Sequence, residues 1–121
     1  MVSPDFLFVA VGAMMGAVLR SEVSKISLKG GISPWHIGCV NIAGSFTLGA
    51  LTSNPSVTPR QRALLGVGFC GALTTFSTFS VDTVKLLEAD RVGAAAGYFA
   101  LNNAGSIGAA WAGMKLGKRI G

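Results

Sequence analysis

Apolar residues in this chain gather into four runs joined by short polar stretches, at roughly 5–23, 32–51, 63–87 and 92–115. A helix needs about 20 mostly apolar residues to cross a bilayer, and each run has about that length. The pattern predicts an all-α integral membrane protein with four transmembrane helices, forming a single domain over 1–121. The third run departs from a plain span. From Thr74 to Ser80 it carries five hydroxyls in seven residues, after glycines at 66, 68 and 71. Hydrocarbon cannot bond those groups, nor any backbone freed where glycine loosens the helix. Polar or irregular backbone at membrane depth is tolerated only where protein or a water-filled cavity covers it. The segment therefore reads as part of an ion or solute path.

Composition supports a membrane protein over a soluble domain: 50% of residues are hydrophobic, 12% are charged and 17 are glycine. The first run has Asp5 and no basic residue at its start, and no small-residue cleavage site follows it, so it is expected to be a span rather than a removed leader. The net charge of +5 points to anionic lipid headgroups and not to nucleic acid. Cys39 and Cys70 fall inside spans, where cysteine acts as a small hydrophobe. On a four-span layout one side holds Arg60, Arg62, Lys115, Lys118 and Arg119, and the other Arg20, Lys25, Lys29, Lys85 and Arg91. Lys/Arg bias sets orientation, and here there is none. Either one helix dominates despite the tie, or the chain inserts both ways and can pair antiparallel with itself; the balance favours the second.

Gly66, Gly68 and Gly71, with Glu88 further on, fit a dinucleotide fingerprint in spacing but lack the strand and βαβ unit it needs. The pairs Gly12/Gly16, Gly93/Gly97 and Gly113/Gly117 are spaced for close helix packing in lipid. Phe76 and Phe79 share a helix face, with Ser80 and Thr83 one turn on. They are either lipid-facing rings with hydroxyls bonded back to the preceding turn, or an aromatic and hydroxyl wall whose positive ring edges can meet an anion. In the second span Asn41 and Ser45 are four apart, and the Asn41 amide can bridge helices or present two donors to an anion. Tyr98, Asn102 and Ser106 recur every fourth residue as a polar stripe, with Asn103 beside it; such a stripe must face protein or water. Every carboxylate lies toward a span end, and His36 opens the second span as an interfacial residue. With no nucleophile-and-base pair and no metal-ligand cluster, an enzyme is excluded.

These residues resemble the Fluc/CrcB family of fluoride channels. The run Gly68-Phe-Cys-Gly71-Ala-Leu-Thr74-Thr-Phe76-Ser-Thr-Phe79-Ser80 matches that family's third-span signature throughout. Val40-Asn41-Ile-Ala-Gly44-Ser45-Phe46 with Gly49 matches its second span, Gly16-Ala17-x-x-Arg20 its first, and the Tyr98 stripe its fourth. His36, Ile37 and Gly38 stand where the family usually has Gly-Thr-Leu, and Asn102 stands where a hydroxyl residue is frequent. The resemblance implies an antiparallel dual-topology dimer conducting fluoride passively through two pores. It implies that Asn41 donates to the ion and that Phe76 and Phe79 form an aromatic box. Tyr98, Asn102 and Ser106 would line a polar track, with Ser80 and Thr83 as helpers and Arg20 at a vestibule mouth. It further implies a third helix broken near its middle at Gly71 and Thr74, whose main-chain carbonyls, contributed by both copies, hold a structural sodium.

The expected function is a fluoride-selective channel in the inner membrane that gives fluoride resistance, working as a homodimer or with a paralogous chain. A dual-topology multidrug exporter is disfavoured because the first span has no carboxylate at its centre. A non-transporting assembly subunit would leave the third-span hydroxyls unexplained.

Overall fold

The computed structural model describes residues 4–30 and 34–121, with 27–30 described by backbone alone. Among these residues every regular element is helical. Helix α1 is Phe6–Gly30 and α2 is Trp35–Ser53. Helix α3 covers 59–73, formed by Pro59–Gln61, a π-helical stretch Arg62–Cys70, and Gly71–Leu73. Helix α4 is Phe76–Glu88. Helix α5 covers 92–120, with a π-helical turn at Leu101–Gly105 between Val92–Ala100 and Ser106–Ile120.

The helix boundaries have local causes. Helix α1 runs well past its apolar run. Its polar end is supported by an ion pair one turn apart, Lys25 Nζ to Glu22 Oε1 at 3.0 Å. Helix α2 ends at Asn54, whose extended backbone (φ −84°, ψ 114°) is the conformation favoured ahead of Pro55. Helix α3 starts on a capping box: the Gln61 N–H donates to Thr58 Oγ1 at 3.1 Å and the Thr58 N–H to Gln61 Oε1 at 2.9 Å, with Pro59 at the first helical position. At the end of α4, Asp90 takes a left-handed φ of 58°. Its N–H donates to the Leu87 carbonyl at 3.1 Å and the Arg91 N–H to the Leu86 carbonyl at 2.9 Å, which makes a Schellman closure without the usual glycine. The expected start of the second span at 32, and the side chain of Lys29, lie outside the described residues.

Two stretches, Phe6–Ile26 and Pro59–Glu88, are long and apolar enough to cross a bilayer, with mean hydropathies of 1.6 and 1.5. The helices pack as two glycine-seamed pairs. Gly12 and Gly16 of α1 press against the Leu64 and Phe69 carbonyls of α3, and Gly68 of α3 against the Val9 carbonyl. Gly49 of α2 meets the Ala110 carbonyl of α5, while Gly113 and Gly117 of α5 meet the Phe46 and Ala50 carbonyls. A side chain at any of these positions would drive backbone from backbone. The third spaced pair does not act this way: Gly93 has open space around it, and Gly97 meets only the Trp35 ring at 3.8 Å. Helix α4 closes on the first half of α5 and the start of α2 through a cluster of Ile37, Phe79, Leu86, Ala95 and Tyr98.

A polar cavity at the helix break

The expected third span is one helix interrupted at Thr74 and Thr75, which are extended (ψ 153° and ψ 122°). Breaking a helix orphans carbonyls on one side and N–H groups on the other. Side chains from other helices take several of them. The Thr75 N–H, which would bond the Gly71 carbonyl in an unbroken helix, donates to Asn41 Oδ1 at 2.8 Å. Asn41 Nδ2 donates to the Thr75 carbonyl at 3.2 Å, so one amide grips both sides of that residue as a neighbouring strand would. Arg20 Nε donates to the Ala72 carbonyl at 3.1 Å. Thr75 Oγ1 caps α4 by accepting from the Thr78 N–H at 3.2 Å. The carbonyls of Gly71 and Thr74 are thus left without their helical partners.

Beside the break lies a cavity of about 200 Å³ lined by Asn41, Ser45, Thr74, Thr75, Phe76, Phe79, Asn102, Asn103 and Ser106. No lining residue is charged. At roughly 30 Å³ per water in the liquid, the space admits a small ion with a few waters. Asn41 Nδ2 also donates to Asn102 Oδ1 at 2.8 Å, and Asn102 Nδ2 to the Tyr98 carbonyl at 3.0 Å. The Ser106 hydroxyl oxygen is buried with no hydrogen-bond partner among the described residues. It is therefore a donor available to whatever occupies the cavity.

Aromatic rings continue from the cavity. Phe76 is 72% exposed and Phe79 only 5%, with ring centroids 5.4 Å apart and planes inclined at 55°. Phe79 stands 5.5 Å from the Tyr98 ring, which Trp35 meets edge-on at 5.6 Å. The fully buried Tyr98 hydroxyl donates to Asp82 Oδ2 at 3.0 Å.

The structure thus brings Asn41, Phe76, Phe79, Asn102 and Ser106 to one cavity, with Tyr98 one ring beyond. It does not bring Ser80, Thr83 or Arg20 there. The Ser80 and Thr83 hydroxyls donate to the Phe76 and Phe79 carbonyls at 2.9 and 2.8 Å. Arg20 is committed to the break. Both Asn41 N–H groups are engaged within the protein, so in this arrangement the amide holds the break rather than facing the cavity as a free donor. Thr75 was hidden in the sequence as one hydroxyl among five, and the paired extended conformations give it its importance. Asn103 was visible beside the Tyr98 stripe, but the π-helical turn at 101–105 is what lets adjacent Asn102 and Asn103 both reach the cavity wall.

A cation could be held only through oxygen at this break. The Gly71 and Thr74 carbonyls are main-chain oxygens lacking helical partners, and Gly71 is exposed, so the donor set suits a hard cation. Among the described residues no group of three His, Cys, Asp or Glu side chains converges.

The fold and cavity define an all-α protein of apolar helices built around a broken helix with an uncharged polar chamber at the break. The CrcB family, described as "CrcB-like protein, Camphor Resistance (CrcB)", matches residues 7–114. The chain is 38% identical over 111 residues to the "Fluoride-specific ion channel FluC" of Paracidovorax citrulli, covering 88% of each chain. It is 39% identical over 120 residues to "Fluoride-specific ion channel FluC 1" of Streptomyces avermitilis, covering 91% of this chain and 93% of that one. With the Pseudomonas aeruginosa "Fluoride-specific ion channel FluC" it shares 40% identity over 109 residues, 85% of each. The chain belongs to the CrcB family.

Proposed function

We propose that this chain is a fluoride-specific ion channel, passive and not an enzyme, spanning the inner membrane four times. The observation that carries the reading is the uncharged chamber at the break, with the unpartnered Ser106 hydroxyl in its wall. Fluoride is small and accepts strong hydrogen bonds, so neutral hydroxyl and amide donors and aromatic edges can replace part of its water. A larger, weakly accepting anion gains less from the same donors, and no fixed cation compensates. Fluoride that crosses the membrane as the neutral acid dissociates in a less acidic cytoplasm, and a passive exit then removes the anion.

The chain works as an antiparallel dual-topology homodimer. The even division of Lys and Arg between its sides supports this; a pairing with a paralogous chain is the competing assembly. The Gly71 and Thr74 carbonyls of two such copies would hold one sodium between them. Bound there, the ion would neutralise orphan carbonyls that hydrocarbon cannot serve. Phe76 and Phe79 form the aromatic wall of the path, and Asn102, Ser106 and Tyr98 its polar side. Ser80 and Thr83 lie further along α4 from the break, and Arg20 holds the break through the Ala72 carbonyl.

The test is efflux from liposomes holding only this chain, loaded with either halide. Fluoride leaves rapidly and chloride is largely retained; comparable efflux of the two would refute the reading.

A further inference from the structure

The break is tied to α5 by a chain of side chains whose direction is fixed at both ends by main-chain groups. The Thr75 N–H can only donate, so the atom of Asn41 that meets it at 2.8 Å is Oδ1. That turns Asn41 Nδ2 toward Asn102, where the atom at 2.8 Å has to accept and is Oδ1. Asn102 Nδ2 then meets the Tyr98 carbonyl at 3.0 Å, a group that can only accept. Flipping either amide would set donor against donor and oxygen against oxygen. Asn41 and Asn102 are 8% and 7% exposed, so a lost partner is costly. The far end is firmly held: Tyr98 is fully buried, packs on the Trp35 and Phe79 rings and donates its hydroxyl to Asp82. Gly38 of α2 makes room for the arrangement, because a Cβ there would strike the Leu101 side chain and lie 3.6 Å from Asn102 Nδ2. Two of the chain's departures from its family's usual residues, Gly38 and Asn102, thus stand against each other.

We infer that Asn102 is a positioning residue: by holding Asn41 in one orientation it fixes the extended joint between α3 and α4. Its own hydrogen bonds go to Asn41 and Tyr98, so it acts on Thr75 through Asn41. The effect on flux rests on the channel reading above; the effect on the joint does not. Asn102 lines the chamber, but its oxygen is spent on Asn41 and offers nothing to an anion. Without that oxygen, Asn41 Nδ2 keeps only the longer contact to the Thr75 carbonyl at 3.2 Å. The amide can then turn toward the chamber, and the Thr75 N–H loses its partner for part of the time. The joint loosens, and with it the placing of Phe76, which opens α4 in the chamber wall. A hydroxyl at 102 does not replace the amide. On a helix it bonds the carbonyl one turn back, as Ser80 and Thr83 do, and falls short of Asn41.

The experiment follows exchange of the Thr75 amide hydrogen in heavy water by NMR, beside fluoride efflux from liposomes. Asn102→Ser keeps a polar chamber wall without the acceptor. Its Thr75 amide should exchange about tenfold faster, as expected for one lost buried partner, and its efflux should fall by about as much. Asn102→Asp retains an acceptor for Asn41 and should keep the slow parental exchange. In the double variant Asn41→Ala/Asn102→Ser, exchange should be no faster than in Asn41→Ala, because the residue through which Asn102 acts is gone. Parental Thr75 exchange in Asn102→Ser, even with reduced efflux, overturns the inference, and so do effects that multiply in the double variant. If Asn102→Ser does not fold, Asn102→Thr takes its place with the same two outcomes. Absence of efflux from the parent chain would overturn the channel reading instead, and Thr75 exchange would still decide the role of Asn102.

Discussion

Asn41 joins the break to the polar stripe of α5 with one side chain. Its oxygen accepts from Thr75, and its nitrogen donates to Thr75 and to Asn102. Asn41→Asp keeps the acceptor but turns the nitrogen into a second oxygen facing two carbonyl oxygens. Leaving a buried polar group unpaired costs about 1–3 kcal/mol, and a charge in the chamber wall opposes an anion as well. Fluoride efflux should fall by about tenfold or more, with elution on size exclusion largely retained. Phe79→Ile tests a different property. It keeps bulk in the buried cluster but removes the ring edge that meets Phe76 and Tyr98. Efflux should drop while helicity by circular dichroism is unchanged; parental efflux in both variants would return these side chains to a packing role. Ser106→Ala deletes a buried chamber hydroxyl that lacks a partner among the described residues. It should slow efflux without a stability loss, because no hydrogen bond is broken.

Among the helices, the glycine seams and the break carry the architecture. A large residue at Gly16 or Gly113 meets main-chain carbonyls rather than yielding side chains. Overpacking of this kind costs about 1–3 kcal/mol, so Gly113→Leu should lower the midpoint of thermal unfolding. Asp90 offers the opposite change. It holds a left-handed φ of 58° that costs about 1–2 kcal/mol for an L-residue, and asparagine or aspartate lessens but does not remove that cost. Asp90→Gly should raise the unfolding midpoint slightly with unchanged efflux. These positions also show what could be read before any fold was known. Apolar run length marked the helical stretches to within several residues, but the third is two helices, α3 and α4, and Glu22–Lys25 carries α1 beyond its apolar stretch. Hydroxyl density marked the third helix as polar; its break was implied by the family resemblance at Gly71 and Thr74, whereas Gly71 is helical and the extended residues are Thr74 and Thr75. Hydroxyl density did not indicate that Ser80 and Thr83 bond their own preceding turns, because a hydroxyl's choice between carbonyl and cavity depends on rotamer. Nor did four-residue spacing separate the seams at Gly12/Gly16 and Gly113/Gly117 from Gly93/Gly97, where no backbone of another helix comes close. Nor did the position of His36 near a span start show that Ser24 would reach its ring.

For the whole molecule, the proposed four-span layout divides Lys and Arg five against five, which predicts C-terminal reporters on both sides of the membrane. Adding two or three lysines to one side should fix a single orientation and, with it, abolish efflux from cells expressing only that variant. A parent chain found on one side alone would refute antiparallel pairing. If sodium is held at the paired breaks as a resident ion, fluoride flux needs no sodium gradient but fades after prolonged sodium removal. The grip of Asn41 on Thr75 has a further consequence, visible by isotope exchange in heavy water. The Thr75 amide lies in an extended joint outside any helix, yet its hydrogen is held by a buried side chain and should be replaced slowly. The Phe76 and Ser77 amides that open α4 have no preceding turn to bond and, unlike Thr78, no cap, so they should be replaced fast. That inversion, a slow amide in the gap and fast ones at the start of the helix, should vanish in Asn41→Ala.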